Sequence, residues 1–121
     1  MSAPAIHKVE PQHVHLRIDH PNPTDFHYCA TVGRKNIEKP KELRLHRGDS
    51  VTFENADNFI LRFRESPFDN PERTVLYATS NRSEWTLTAR VRETALFDHW
   101  YHYTVIMGDN STDDPEIIIE R

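Results

Sequence analysis

Apolar residues recur at every second position along most of this chain, and a period of two marks strands that bury one face. In QHVHLRI, Val14, Leu16 and Ile18 share a face while His13, His15 and Arg17 share the other. FHYCATV sets Phe26, Tyr28, Ala30 and Val32 to one side, and NFILRFR sets Phe59, Leu61 and Phe63 against Ile60, Arg62 and Arg64. TVLYATS reads as one short strand. The most regular alternation is EWTLTARVR, with Trp85, Leu87, Ala89 and Val91 opposed to Thr86, Thr88, Arg90 and Arg92. HWYHYTVIMGDN places Tyr101, Tyr103, Val105 and Met107 together, which makes it a packed strand rather than the rim of a metal site. PEIIIER replaces alternation with the run Ile117 to Ile119, as expected of a closing strand covered on both faces.

Turn chemistry separates these segments. DHPNPTD reads as a turn, since Pro21 and Pro23 fix φ and donate nothing to a ladder. GRKNIEKPK is polar, is broken by Pro40 and reads as a loop, as does ESPFDNPER with its two prolines. In ELRLHRGDSVTFENAD, Leu43 and Leu45 alternate, Arg47-Gly48-Asp49 turns the chain, and Val51 and Phe53 resume, a pattern that predicts a hairpin. RETALFD is the one stretch that suggests a helical turn. The result is an all-β chain of about seven or eight short strands, a spacing that favours a sandwich or barrel. A length of 121 residues supports one domain over 1–121, with 1–11 as a loosely ordered N-terminal segment.

Composition narrows the function classes. With 15 basic and 19 acidic residues the net charge is −4, so there is no global attraction to nucleic acid or to an anionic membrane. MSAPAIHKVEPQ has no apolar run after its charges, and no stretch has the length and hydropathy of a membrane span, so the expectation is a cytoplasmic protein. A single cysteine, Cys29, excludes an internal disulfide and a CxxC motif. Gly33, Gly48 and Gly108 are the only glycines, too few and too scattered for a P-loop or a dinucleotide fingerprint. HExxH, GxSxG and the EF-hand loop are also absent.

Two segments carry a family resemblance. LRLHRGDSVTFENAD resembles the cupredoxin pattern of a strand, a Gly-Asp turn and a V-T-F strand ending in asparagine and a polar residue. WTLTARVRETALFDHWYHYTVIMGDNSTDDPEIIIE is similar to that family's late strand, aromatic-x-aromatic strand and closing strand. Together they span roughly half the chain, residues 43 to 58 and 85 to 120. The resemblance implies a single Greek-key β-sandwich of the cupredoxin type, the alternative being an immunoglobulin- or fibronectin-like sandwich. It also implies where copper ligands would stand. A thiolate belongs on the aromatic-x-aromatic strand, where Val105 follows Tyr101 and Tyr103. Imidazoles belong after the V-T-F strand and after the thiolate, where Asn58, Phe59 and Ile60 and then IMGDNSTDDP supply none. Met107 alone fits a ligand slot, and a thioether by itself does not hold copper.

Other candidates rest on the residues themselves. His13 and His15 lie on one strand face about 7 Å apart, close enough to share Zn²⁺ or Cu²⁺ if a third ligand approaches. His99 and His102 have opposite parity and point to opposite faces. Cys29 shares a face with His27, but no third group or oxyanion donor accompanies them. Arg47-Gly48-Asp49 is ordinary turn chemistry as well as an adhesion tripeptide. The clearest asymmetry is of charge: Arg34, Lys35, Lys39, Lys41, Arg44 and Arg47 cluster within 34–47, whereas 109–120 holds Asp109, Asp113, Asp114, Glu116 and Glu120 with no basic residue. The reading is a non-catalytic, metal-free binding or protein-interaction module without a cofactor. Its partner-binding residues are those six cations, and its partner is an acidic protein or another copy. Nucleic acid is disfavoured by the charge and by the lack of a stacking platform. The alternatives are a small metal-binding protein using His13 and His15, and an enzyme whose site is assembled from loops.

With the thiolate and imidazole positions empty, adding Cu²⁺ to the purified protein is expected to give no intense visible thiolate-to-copper absorption. Such a band, followed by absorption spectroscopy, would contradict the reading of these slots.

Overall fold

The computed structural model describes residues 10–121, so the expectation for the N-terminal segment falls mostly on residues 1–9, outside the described ones. The described chain holds twelve strands and no helix. They are β1 (His13–Asn22), β2 (Asp25–Val32), β3 (Lys35–Ile37), β4 (Glu42–His46), β5 (Ser50–Asn55), β6 (Phe59–Phe63), β7 (Val75–Tyr77), β8 (Thr79–Asn81), β9 (Glu84–Arg90), β10 (Trp100–Met107), β11 (Thr112–Asp113) and β12 (Glu116–Glu120). Accordingly, no described helix is long and apolar enough to cross a membrane.

The strands form two mixed sheets in a sandwich. The first runs β3-β2-β1-β5-β9-β8, and the second runs β4-β12-β10-β6-β7 with β11 beside β10. Two neighbouring pairs are parallel, β1 with β5 and β4 with β12. The inward faces carry the residues that alternation assigns to them: Val14, Leu16, Ile18, Val51, Phe53 and Leu87 from the first sheet, and Leu43, Leu45, Phe59, Leu61, Phe63, Tyr101, Tyr103, Val105 and Met107 from the second. Ile117, Ile118 and Ile119 are all buried. Ile117 and Ile119 face the core, while Ile118 lies on the outer face between its cross-strand neighbours Trp100 and Arg44. The Arg44 guanidinium sits 5.8 Å from the Trp100 ring centroid and helps cover that face.

Four local expectations are corrected. Leu43–Leu45 and Val51–Phe53 do not form a hairpin, because β4 pairs with β12 while β5 pairs with β1 and β9. The Arg47-Gly48-Asp49 turn instead carries the chain from one layer to the other. Gly48 takes φ 87°, and the Asp49 carboxylate accepts the N–H groups of Gln12 and His46 at 2.9 and 2.8 Å. The stretch after Gly33 is not all loop: Lys35–Ile37 pairs with β2 across a tight turn at Gly33, φ 58°. TVLYATS is two strands, since buried Ala78 is where the chain passes from the second sheet to the first.

RETALFD forms turns rather than a helical turn. Its backbone is held by long side chains: the Arg92 guanidinium donates to the Ser66 carbonyl at 3.0 Å, Arg47 donates to the Ala95 carbonyl, and the Tyr101 hydroxyl accepts the Leu96 N–H at 2.8 Å. The asparagine ending the V-T-F strand also has a structural role here. Buried Asn55 donates to the Ile18 carbonyl and accepts the Asp57 N–H at 2.7 Å, tying the end of β5 to β1.

Val105 is fully buried opposite Leu61 of β6. Val105→Ala is therefore expected to cost about 1 to 3 kcal/mol through lost burial and a small cavity, read from urea unfolding. A change near zero would mean that this strand does not face the core.

Candidate functional site

The two sheets end side by side in β3 and β4, the outermost strands of their layers, and a groove of 680 Å³ lies between them. Val14, Val32 and Ile37 give it an apolar floor, and Lys35, Arg44 and His46 line it together with the carboxylates of exposed Glu38 and buried Asp49. Strand edges present backbone N–H and C=O groups that no neighbour satisfies, so a groove of this kind suits an extended segment. The hairpin turn at Gly33-Arg34 and the connection through Lys39 place further positive charge close by.

The six sequence-identified cations are brought to this side but have different fates. Lys41 bonds the Asp113 carboxylate at 3.1 Å, and Arg44 bonds Glu120 at 2.8 Å. Arg47 lies with its guanidinium 3.8 Å from the Phe97 ring centroid and donates to the Ala95 carbonyl, so it works as a structural clamp. Arg34, Lys35 and Lys39 have no carboxylate partner among the described residues and are exposed. The acidic run 109–120 thus folds back on part of the basic run, because parallel pairing of β4 with β12 aligns them. Asp113 also accepts a hydrogen bond from the Tyr28 hydroxyl at 2.8 Å, and burial followed by this carboxylate raises the tyrosine pKa.

The opposite side of the sandwich holds another hollow, 570 Å³, between β7 and β9. Its Arg90 is already bonded to Asp69 and Glu93 at 3.2 and 2.6 Å, which leaves less charge for a ligand.

The histidine candidates are separated by the fold. His13 and His15 do share a face, their ring centroids 4.7 Å apart. Both ring nitrogens of His13 meet hydroxyls, Ser50 at 2.5 Å and Thr52 at 2.9 Å, and no group of three His, Cys, Asp or Glu side chains able to hold a metal occurs among the described residues. His99 pairs with Glu65 and His102 with Glu116, each at 3.2 Å. Cys29 is exposed on the outer face of β2, opposite Arg17 of β1.

One pair escapes sequence reasoning. The β1–β2 register jumps between Asp19 and Asn22, and the irregular stretch carries His20 to Asp109 in the turn after β10, 2.9 Å away. Only the proline-rich character of the stretch hinted at a distortion; nothing local pointed to a residue 89 positions on. The His20 side chain is nearly enclosed, its ring tilted 33° against that of Phe26 with the centroids 4.3 Å apart. Burial opposes its charge, yet hydrogen bonds to Asp109 and to the Asp25 carbonyl, with the charges of Asp109 and Asp57, outweigh it and raise the pKa. The His20 hydrogen bond, with those of Ser111, lowers Asp109 to about 2.

The sign of the pH effect follows. A raised histidine contributes stability that is complete below its ordinary 6.5 and fades as pH rises through the raised value; a lowered aspartate contributes stability complete above 3.8 and fading as pH falls through about 2. The pair therefore contributes most between pH 3.8 and 6.5. Asp109→Asn should lower the urea midpoint more at about pH 5 than at about pH 9, and equal losses at both would show that the pair is not ionic.

A scan against protein-family models and a search of curated proteins found no match to this chain.

Proposed function

We propose that this chain is a non-catalytic, cupredoxin-like β-sandwich that acts as a protein-interaction module, taking an extended acidic segment of a partner along the groove between β3 and β4. The observation that carries the reading is the placement of Arg34, Lys35 and Lys39, exposed and without a carboxylate partner among the described residues, beside a groove with an apolar floor and two strand edges. An incoming strand would use main-chain hydrogen bonds for affinity, alternate apolar side chains for the floor, and acidic ones for the rim. The cations would chiefly speed encounter and select the sign of the partner. A cytoplasmic setting suits a chain whose one cysteine is free and exposed.

The test is fluorescence anisotropy with a labelled peptide alternating glutamate and valine. Binding is expected to weaken with salt, and the triple reversal Arg34→Glu, Lys35→Glu, Lys39→Glu should raise Kd about tenfold or more through slower association. Unfolding should be almost unchanged, because all three side chains are exposed. Peptide binding indifferent to both salt and reversal would remove the groove as the site.

A further inference from the structure

The outer faces of the two sheets differ in chemistry. On the first, His13, His15, Arg17 and Asp19 of β1 lie beside Ser50, Thr52 and Glu54 of β5, and no large apolar side chain stands out. On the second, cross-strand register lines up Tyr77 of β7, Ile60 of β6 and Ile106 of β10 in one row. Tyr77 is 67% exposed, the most exposed large hydrophobic residue described.

Below that row the charges divide by strand. Arg62 stands opposite Thr104 on β10, and Arg64, one residue beyond β6, continues toward His102. Both arginines are exposed and have no carboxylate partner among the described residues. Across β10 the carboxylates gather: Thr104 donates to Asp114 at 2.9 Å, His102 pairs with Glu116, and Glu116 stands beside Glu42 of β4, with Lys39 and Lys41 bordering the far side and Lys41 bonded to Asp113. A trough of 530 Å³ runs over His102 and Thr104 between the cations and Asp114.

From this arrangement we infer that the outer face of the second sheet is a self-association surface whose occupant is a second copy of the chain, related by a two-fold axis running along β10. A two-fold axis lying in the plane of an interface exchanges what lies to its left and right. Turning a second copy over about β10 therefore lays its Arg62 and Arg64 on Asp114 and Glu116 of the first, and the first copy's arginines on the second copy's acids. The surface is complementary to itself, as an isologous dimer requires. On the axis each Ile106 approaches its equivalent, flanked by Ile60. An acidic partner would match only the arginine side and a basic one only the acidic side, so charge complementarity favours a second copy.

The face is small. Five strands about 4.8 Å apart and about five residues at 3.3 Å each give roughly 400 Å² of sheet, against roughly 800 Å² per partner in stable complexes. The dimer is therefore weak and depends on its ion pairs, which are screened beyond a Debye length of about 10 Å at 0.1 M salt. Lys39 borders the same hollow as Asp114 and Glu116, whereas Arg62 and Arg64 lie across β10 from it, so reversal of the two arginines tests this reading independently of the groove between β3 and β4.

The experiment is sedimentation velocity of the full chain from micromolar to millimolar concentration at low and high salt. The wild type is expected to dimerise at the upper concentrations and to dissociate with salt. Arg62→Glu with Arg64→Glu makes both sides acidic, Asp114→Lys with Glu116→Lys makes both sides basic, and each variant alone should be monomeric. Mixed, they should form a one-to-one heterodimer with a Kd close to that of the wild-type dimer, because the same four cross-interface ion pairs are made, and about tenfold or more below that of either variant alone. Circular dichroism checks that each is folded, and Asp114→Lys alone replaces the basic variant if Glu116→Lys disturbs β12. A wild type that stays monomeric at millimolar concentration and low salt overturns the inference. So does self-association that survives either reversal, or a mixture of folded variants that does not associate.

Discussion

The carboxylate of Asp49 holds together the place where the chain changes layer. It accepts the N–H groups of Gln12 and His46, so one buried group binds the residue preceding β1 to the end of β4. The backbone around it completes the joint: Ser50 donates to the Gln12 carbonyl, Gly48 to the Val91 carbonyl, and Val91 back to the Asp49 carbonyl. Hydrogen bonds to an ionised acceptor are about twice as strong as neutral ones, and the donors they satisfy would otherwise be stranded. Because this turn sends β4 to one sheet and β5 to the other, it also decides which strands become edges. The groove between β3 and β4, and the alignment of β4 with β12, both depend on it.

Strand order then acts as an arrangement of charge. The basic and acidic runs sit far apart in the chain, yet parallel pairing sets Arg44 beside Glu120, while Lys41 reaches Asp113. Of the basic run, Arg34, Lys35 and Lys39 are left exposed and without a carboxylate partner among the described residues, as are Arg62 and Arg64 on a sheet face. Most of the ion pairs are partly or fully exposed, where such contacts contribute about 0 to 1 kcal/mol each.

The buried aromatic centre shows what the fold tolerates. Tyr103 stacks on Phe63 at 5.1 Å and meets Phe53 edge-on at 5.9 Å. Its hydroxyl is the one buried side-chain polar atom without a hydrogen-bond partner among the described residues. Desolvation, with the nearby charge of Asp113, raises its pKa and keeps it neutral. Packing of the ring offsets the unmade hydrogen bond, since an aromatic side chain of this size dominates local burial.

The sequence by itself determined the class of the fold and the sides of its strands. Alternation in 14–18, 59–63, 85–91 and 101–107 depends only on the two-residue period of a strand, and so does the inward placement of Val105, Leu61 and Phe53. The clustering of cations in 34–47 was also legible, because charge clustering is a local property, but of those six only Lys35 and Arg44 line the groove, which Gln12, Val14 and Val32 complete from elsewhere in the chain. Tertiary structure alone decided which strands pair. A turn such as Arg47-Gly48-Asp49 has similar local chemistry whether it closes a hairpin or crosses between layers, and the choice is made by contacts with Gln12 and Val91, far away in the chain. The same holds for His20 with Asp109, and for Arg62 and Arg64 across β10 from Asp114 and Glu116: residue type and spacing carry no record of register between distant strands, and that register fixes which charges meet and which stay exposed.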